Sequence, residues 1–177
     1  MNIDQKRLFL GFGLNDAQVQ RLTRLQSAFA TDDFKPVAAA NLHMTLLFLG
    51  NVTDEQQQRL QQYIDSLLLP RFTQPLSQLD FWPKPKILCL RQAEVAPPLL
   101  AMQQQIAAFA SNLLPLQQHD SYRPHVTLAR KAKYLPTLAA KSIPHISLAP
   151  TALQLYQSIN LGAGVQYPIL QSWPLRQ

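Results

Sequence analysis

A chain of 177 residues with 47% hydrophobic and 15% charged residues has room for one globular body with a real core, and lies far from the composition of disordered chains. Sixteen Lys and Arg against ten Asp and Glu give a formal charge of +6, which favours anionic partners without forming a basic tail. A single cysteine excludes an intramolecular disulfide and any paired-cysteine redox or zinc site.

In chain order, residues 7–14 form a short apolar run that predicts a buried strand. A helix follows, capped by Asn15 or Asp16, with Val19, Leu22, Leu25 and Phe29 on its apolar face. Residues 43–49 predict a second strand, ended by Gly50-Asn51. Thr53 and Gln56 stand in capping-box relation at the head of a second helix, whose stripe is Leu60, Tyr63, Ile64, Leu67 and Leu68, with Pro70 as its stop. Residues 70–86 hold four prolines around an apolar patch at 79–82, a connection with one edge strand. The order then repeats: a strand at 87–90, a helix presenting Leu99, Met102, Ile106, Phe109 and Leu113, and a strand at 125–129. Residues 131–150 are proline-interrupted and predict loop. Segments 153–161 and 165–170 predict two final strands joined by Gly162-Ala163-Gly164 as a hairpin turn.

Cys89 falls within the apolar strand at 87–90 and is expected to be a packed, inert thiol. No stretch approaches the ~20 apolar residues of a membrane span, and the N-terminal run lacks the pattern of a signal peptide. The expected location is the cytoplasm.

The two halves share a motif. His43-Met44-Thr45-Leu46 and His125-Val126-Thr127-Leu128 each open a predicted strand, nearly half a chain apart, which suggests an internal duplication with approximate halves 1–80 and 81–177. Residues i and i+2 of a strand share a face, so each His projects beside its Thr while the apolar members turn to the core. Two such strands related by a pseudo-twofold axis would set two imidazoles on opposite sides of one phosphorus, with two hydroxyls for its non-bridging oxygens. Opening a cyclic phosphodiester with water needs a base for the nucleophile and an acid for the departing sugar oxygen, and histidine serves as either near neutral pH. Neither His carries a second ligand at chelating spacing, so the expectation is no metal and no cofactor. The pattern predicts an α+β fold in which two antiparallel sheets, one per half, face each other with helices outside.

These motifs, with Arg7-Leu8-Phe9, Phe48-Leu49-Gly50, Arg123-Pro124 before the second motif, Ala129-Arg130 after it and Leu155-Tyr156, resemble the 2H phosphoesterases, in particular the bacterial RNA 2′,3′-cyclic phosphodiesterases also called 2′-5′ RNA ligases. The resemblance spans nearly the whole chain. It implies a single domain over residues 1–177 built as two pseudo-symmetric lobes around a central cleft, with the final strands exchanged between lobes. It also implies hydrolysis of a terminal 2′,3′-cyclic phosphate to a 2′-phosphate, and in some members reversible joining of tRNA halves. The partner so implied is RNA ending in a cyclic phosphate, met by a monomer away from membranes. Two alternatives stay open: a 2H enzyme for a small cyclic phosphate such as a cyclic nucleotide or ADP-ribose cyclic phosphate, and a non-catalytic RNA-binding module.

By the family's usual roles His43 is the proton donor and His125 the acceptor, an assignment that can be exchanged. Thr45, Thr127 and Arg130 are expected to hold phosphate oxygens. Phe9 suits base stacking or core packing; Arg7 and Arg123 suit RNA-backbone contact or plain surface charge; Tyr167 and Ser158 are expected at the cleft edge. His119 and His145 lack a Thr two residues on and are expected to be bystanders. Where the family's first strand often ends in Asp-Leu-Pro, this chain has Gly13-Leu14-Asn15.

Overall fold

The computed structural model describes residues 4–117 and 121–177. Strand β1 (Gln5–Gly13) leads to α1 (Asp16–Ser27), a short β2 (Lys35–Pro36), a 3-10 turn at Ala39–Asn41, β3 (His43–Thr53) and α2 (Asp54–Asp65). After β4 (Gln74–Leu76) and β5 (Gln78–Trp82) come β6 (Ile87–Arg91), α3 (Pro97–Ala110) and β7 (His125–Arg130). The chain closes with β8 (Ile146–Leu148), β9 (Ala152–Gln157), β10 (Ile159–Asn160), β11 (Val165–Gln166) and β12 (Ile169–Pro174).

Local chemistry accounts for the helix starts. Asn15 caps α1 and Thr53 caps α2, and in each case a Gln three residues on returns the bond to the cap backbone. Such caps are worth about 1 kcal/mol each. The helix ends come earlier than the apolar spacing predicts. α2 stops at Asp65, so Leu67 and Leu68 lie beyond it, and Leu68 is exposed rather than part of the stripe.

The main sheet has eight strands in the order β12-β9-β1-β3-β7-β6-β5, with β2 alongside β7, and its named pairings are antiparallel. It consists of two parts. β1 and β3 form a ladder extended by β9 and β12; β7 and β6 form the other, extended by β5 and β2. A single register position, Met44 opposite Val126, joins them. The predicted strand at 79–82 is the edge strand β5, and the predicted loop at 131–150 contributes β8, which pairs with β4. The final hairpin forms as two short ladders, β9 with β12 and β10 with β11, with Gly162 and Gly164 at positive φ in the turn.

The core lies on the helix side of the sheet. Met44, Leu46, Val126 and Leu128 are buried there with Leu22 and Leu25 of α1, Leu60 and Ile64 of α2, and Leu99, Met102 and Ile106 of α3. Full burial of such side chains contributes roughly 1.5–3 kcal/mol each. Cys89 is completely buried and its thiol pKa is pushed up to about 12 by that burial, as an inert thiol requires. Among the described residues no helix is long and apolar enough to cross a membrane.

Candidate active site

Both motifs stand at the seam. β3 begins at His43 and β7 at His125, and their one shared register position is the residue between His and Thr in each motif. The antiparallel sense sets His43 on the Thr127 side of the pair and Thr45 on the His125 side, all four half-buried on the face away from the helices. One residue pair is too short a ladder to close over them, so the four polar side chains share an open crevice.

Strict alternation would turn Arg130 away from this face, since it lies five residues after His125. A β-bulge restores it. Register shifts from Leu88↔Ala129 to Cys89↔Thr127, leaving Leu128 as the extra residue, so Leu128 and Ala129 are both buried and Arg130 re-emerges exposed. β3 bulges at the equivalent place: Leu46 is the extra residue between Leu10↔Leu47 and Gly11↔Thr45. The position matching Arg130 is there taken by Phe48, which is 61% exposed. A second bulge at Leu49-Gly50, with Gly50 at φ 73°, carries β3 on to Thr53 instead of ending it. Tertiary bonds fix the β7 bulge: Gln26 of α1 donates at 2.9 Å to the carbonyls of both Leu128 and Val37, and Val37 N–H donates to Leu128 O at 2.9 Å.

The imidazoles are oriented alike. His43 Nδ1–H donates to Asn41 O at 2.7 Å and His125 Nδ1–H to Arg123 O at 2.8 Å, a carbonyl two residues upstream in each case. This assigns the tautomer that leaves Nε2 as the reactive nitrogen. In His43 that nitrogen receives the Thr45 hydroxyl at 3.0 Å. The surroundings then differ. His43 packs against Phe9 (ring centroids 4.8 Å), Tyr167 (5.2 Å, edge-on) and Tyr156 (6.0 Å). His125 lies 4.4 Å from Trp82, whose other neighbour is the Arg123 guanidinium 4.0 Å from the ring centroid. Asp80 holds the Trp82 indole N–H at 2.9 Å and Arg91 at 3.4 Å.

Burial depresses both pKa values. His43 is lowered by desolvation and further by the Arg130 charge, against the opposing pull of the Asn41 carbonyl. His125 falls to about 4, chiefly by desolvation, with the charges of Arg123, His43 and Arg91 adding to it. The His43 charge is thus among those that disfavour a proton on His125.

Tyr167 packs directly on His43, closer than a cleft-edge position. Arg7 is exposed on β1, two residues beyond Phe9, and its carbonyl accepts Ser158 N–H. Phe9 is only 4% exposed, with one face stacked on Tyr156 at 4.9 Å and an edge on Tyr167, so it supports the His43 ring and offers no open face to a base. His145 is exposed in the loop before β8, while His119 lies outside the described residues. Sequence reasoning missed Trp82, Phe48, Asn41 and Gln154. Phe48 had a signal, since it repeats the His-plus-five position of Arg130; Asn41 acts on His43 through a backbone carbonyl that its side-chain type does not announce, and Trp82 and Gln154 are brought in from strands far along the chain.

Two Nδ1-anchored imidazoles flanked by hydroxyls and an arginine bring together the groups that acid–base phosphoester chemistry needs. The model of the family described as LigT like Phosphoesterase matches residues 12–89, which include the first motif. The chain is 27% identical over 175 residues to an RNA 2′,3′-cyclic phosphodiesterase of Escherichia coli K12, covering 98% of this chain and 99% of that one. It is 26% identical over 164 residues to one from Aeropyrum pernix, covering 86% and 93%. It superposes on the crystal structure of E. coli LigT in apo form with a TM-score of 0.88 at 26% identity, over 98% of this chain and 99% of that one. Over residues 12–89 in sequence and over nearly its whole length in fold, the chain is similar to the LigT-like phosphoesterases.

Proposed function

We propose that the protein is an RNA 2′,3′-cyclic phosphodiesterase that opens a terminal cyclic phosphate to a 2′-phosphate by acid–base catalysis between His43 and His125. The observation that carries this reading is the pairing of the two His-x-Thr strands about Met44 and Val126, which brings two imidazoles and two hydroxyls onto one face. His125, the more strongly depressed of the two, is neutral over most of the pH range and acts as base, taking a proton from water as its oxygen attacks phosphorus. The P–O3′ bond breaks in line, and His43 returns a proton to the 3′ oxygen through Nε2. Thr45, Thr127 and the Arg130 fork take the non-bridging oxygens, where charge grows in the transition state. The substrate is RNA with a cyclic phosphate end, encountered in the cytoplasm. The exposed face of Phe48 is the better stacking surface for a terminal base than the buried Phe9.

The test is ³¹P NMR of an RNA oligomer ending in a 2′,3′-cyclic phosphate, incubated with protein and EDTA. A 2′-phosphate signal is expected, with the rate falling ~10²–10⁴-fold in His43→Ala and in His125→Ala. Absence of turnover by the unaltered protein would falsify the proposal.

A further inference from the structure

Each motif histidine is held by the residue two positions before it, and that residue does more than accept the Nδ1–H bond at its carbonyl. Its side chain also reaches a hairpin from elsewhere in the chain, and the hairpin lays an aromatic ring on the same imidazole. On the His125 side the Arg123 guanidinium stands over Trp82 of the β5–β6 hairpin, and Trp82 packs on His125. On the His43 side Asn41 Nδ2–H donates to Val165 O of β11 at 2.8 Å. Tyr167, two residues further on, packs edge-on against both His43 and Phe9.

The two hairpins depend on that tie to different degrees. β5–β6 has five register pairs, belongs to the main sheet, and has its Trp82 indole N–H fixed by Asp80. β10–β11 is a sheet by itself with two register pairs, less than a hairpin needs to stand unaided. Its turn runs out into solvent, where Leu161 is 67% exposed and a Cβ on Gly162 or Gly164 would meet nothing within 4 Å. The base of the hairpin is fixed, since Ser158 N–H donates to Arg7 O at 2.8 Å and Gln157 N–H to Pro168 O at 3.0 Å. Among the described residues, the hydrogen bond that fastens β11 to anything but β10 comes from the Asn41 side chain. The Asn41 carbonyl is set separately, by the 3-10 turn in which Asn41 N–H donates to Ala38 O and Leu42 N–H to Ala39 O. Removing the amide therefore frees the hairpin and leaves the Nδ1 bond in place.

We propose that the Asn41 side chain is a positioning group for His43: by holding Val165 it seats the β10–β11 hairpin and keeps Tyr167 against the imidazole. This role rests on the phosphodiesterase reading, in which His43 is the proton donor. Its effect is on water. Tyr167 seals one flank of a ring whose pKa is lowered chiefly by desolvation, so releasing the hairpin raises that pKa toward the ordinary 6.5. The other titratable or charged groups about His43 are Tyr156 of β9, whose hydroxyl donates to Gln154 Oε1 at 2.5 Å, Arg130 and His125 of β7, and Asp16 of α1 across the adjoining cavity. The substitutions below leave all of these in place.

The test follows the His43 ring by NMR titration of the substrate-free protein, beside the pH profile of 2′,3′-cyclic mononucleotide hydrolysis. In Asn41→Ala, and in Asn41→Ser, which is too short to reach Val165, the His43 pKa is expected to rise by about half a pH unit or more while that of His125 changes less. The basic limb of kcat/KM should move up with it. Tyr167→Ala should give the same rise, and Tyr167→Phe, which keeps the ring, should not. The double variant Asn41→Ala, Tyr167→Ala should rise no further than Tyr167→Ala alone. A His43 pKa in both Asn41 variants that matches the unaltered protein's overturns the proposal. So do rises that add in the double variant, because Asn41 then acts without the hairpin. If the unaltered protein hydrolyses no cyclic phosphate, the phosphodiesterase reading has failed, and the NMR titration alone decides whether Asn41 seats the hairpin on His43.

Discussion

Each histidine is set by three kinds of neighbour: an upstream carbonyl that fixes its tautomer, aromatic rings that remove water from its flank, and cations that resist its protonation. The pH dependence follows. In the proposed mechanism His125 must be neutral to act as base, so activity is expected to fall as pH drops through about 4. His43 must be protonated to act as acid, and its pKa lies below the ordinary 6.5, so activity also falls as pH rises through that lowered value. A kcat/KM profile with an acidic optimum between these limbs is expected, and its basic limb should move up in kcat, because bound phosphate offsets the Arg130 charge on His43. Arg130→Lys keeps the charge and loses the two-pronged fork, so kcat is expected to fall ~10-fold with the folding midpoint unchanged.

Among the elements, β7 decides the site by its bulge. Gln26 is a buried polar residue of α1 whose amide reaches across to the Leu128 carbonyl, so the helix clamps the extra residue that returns Arg130 to the crevice. Gln26→Leu removes that donor from two carbonyls and is expected to cost about 1–3 kcal/mol, read as a lower urea midpoint. It should also lower activity at temperatures where the protein stays folded, an effect that a surface substitution on the same helix, such as Arg21→Ala, would not produce. The matching bulge on β3 at Leu46 supports reading the two strand–helix–strand units as an internal duplication.

At the scale of the whole molecule, the two ladders meet through one residue pair, and the final strands β9 and β12 extend the ladder of β1 and β3. We read the chain as one domain of two lobes with those strands exchanged. The seam gathers cations and two half-buried imidazoles, and this has a stability consequence. His125 binds its proton at about 4 in the folded state and near 6.5 when unfolded, so between those values the unfolded chain holds more protons. Stability therefore rises with pH across that window and is lost as pH falls from about 6.5 toward 4. For a half-buried group the loss is roughly 2 kcal/mol at most after solvent screening. Urea titrations at pH 7 and pH 4.5 should show it, and His125→Gln should flatten it.

Hydrophobic periodicity, capping boxes and the repeated His-x-Thr were enough to define, from the sequence alone, three helices, the two motif strands and the pair of histidines they carry, because each depends on residues within one turn or one strand. The remainder depended on which strand lies beside which. That Phe9 is buried under His43, that Arg130 faces the crevice despite odd spacing, and that Trp82 and Gly13 flank opposite histidines are all consequences of cross-strand register and bulges. Such pairings join residues far apart in the chain and leave no local pattern, so only the tertiary structure could decide them.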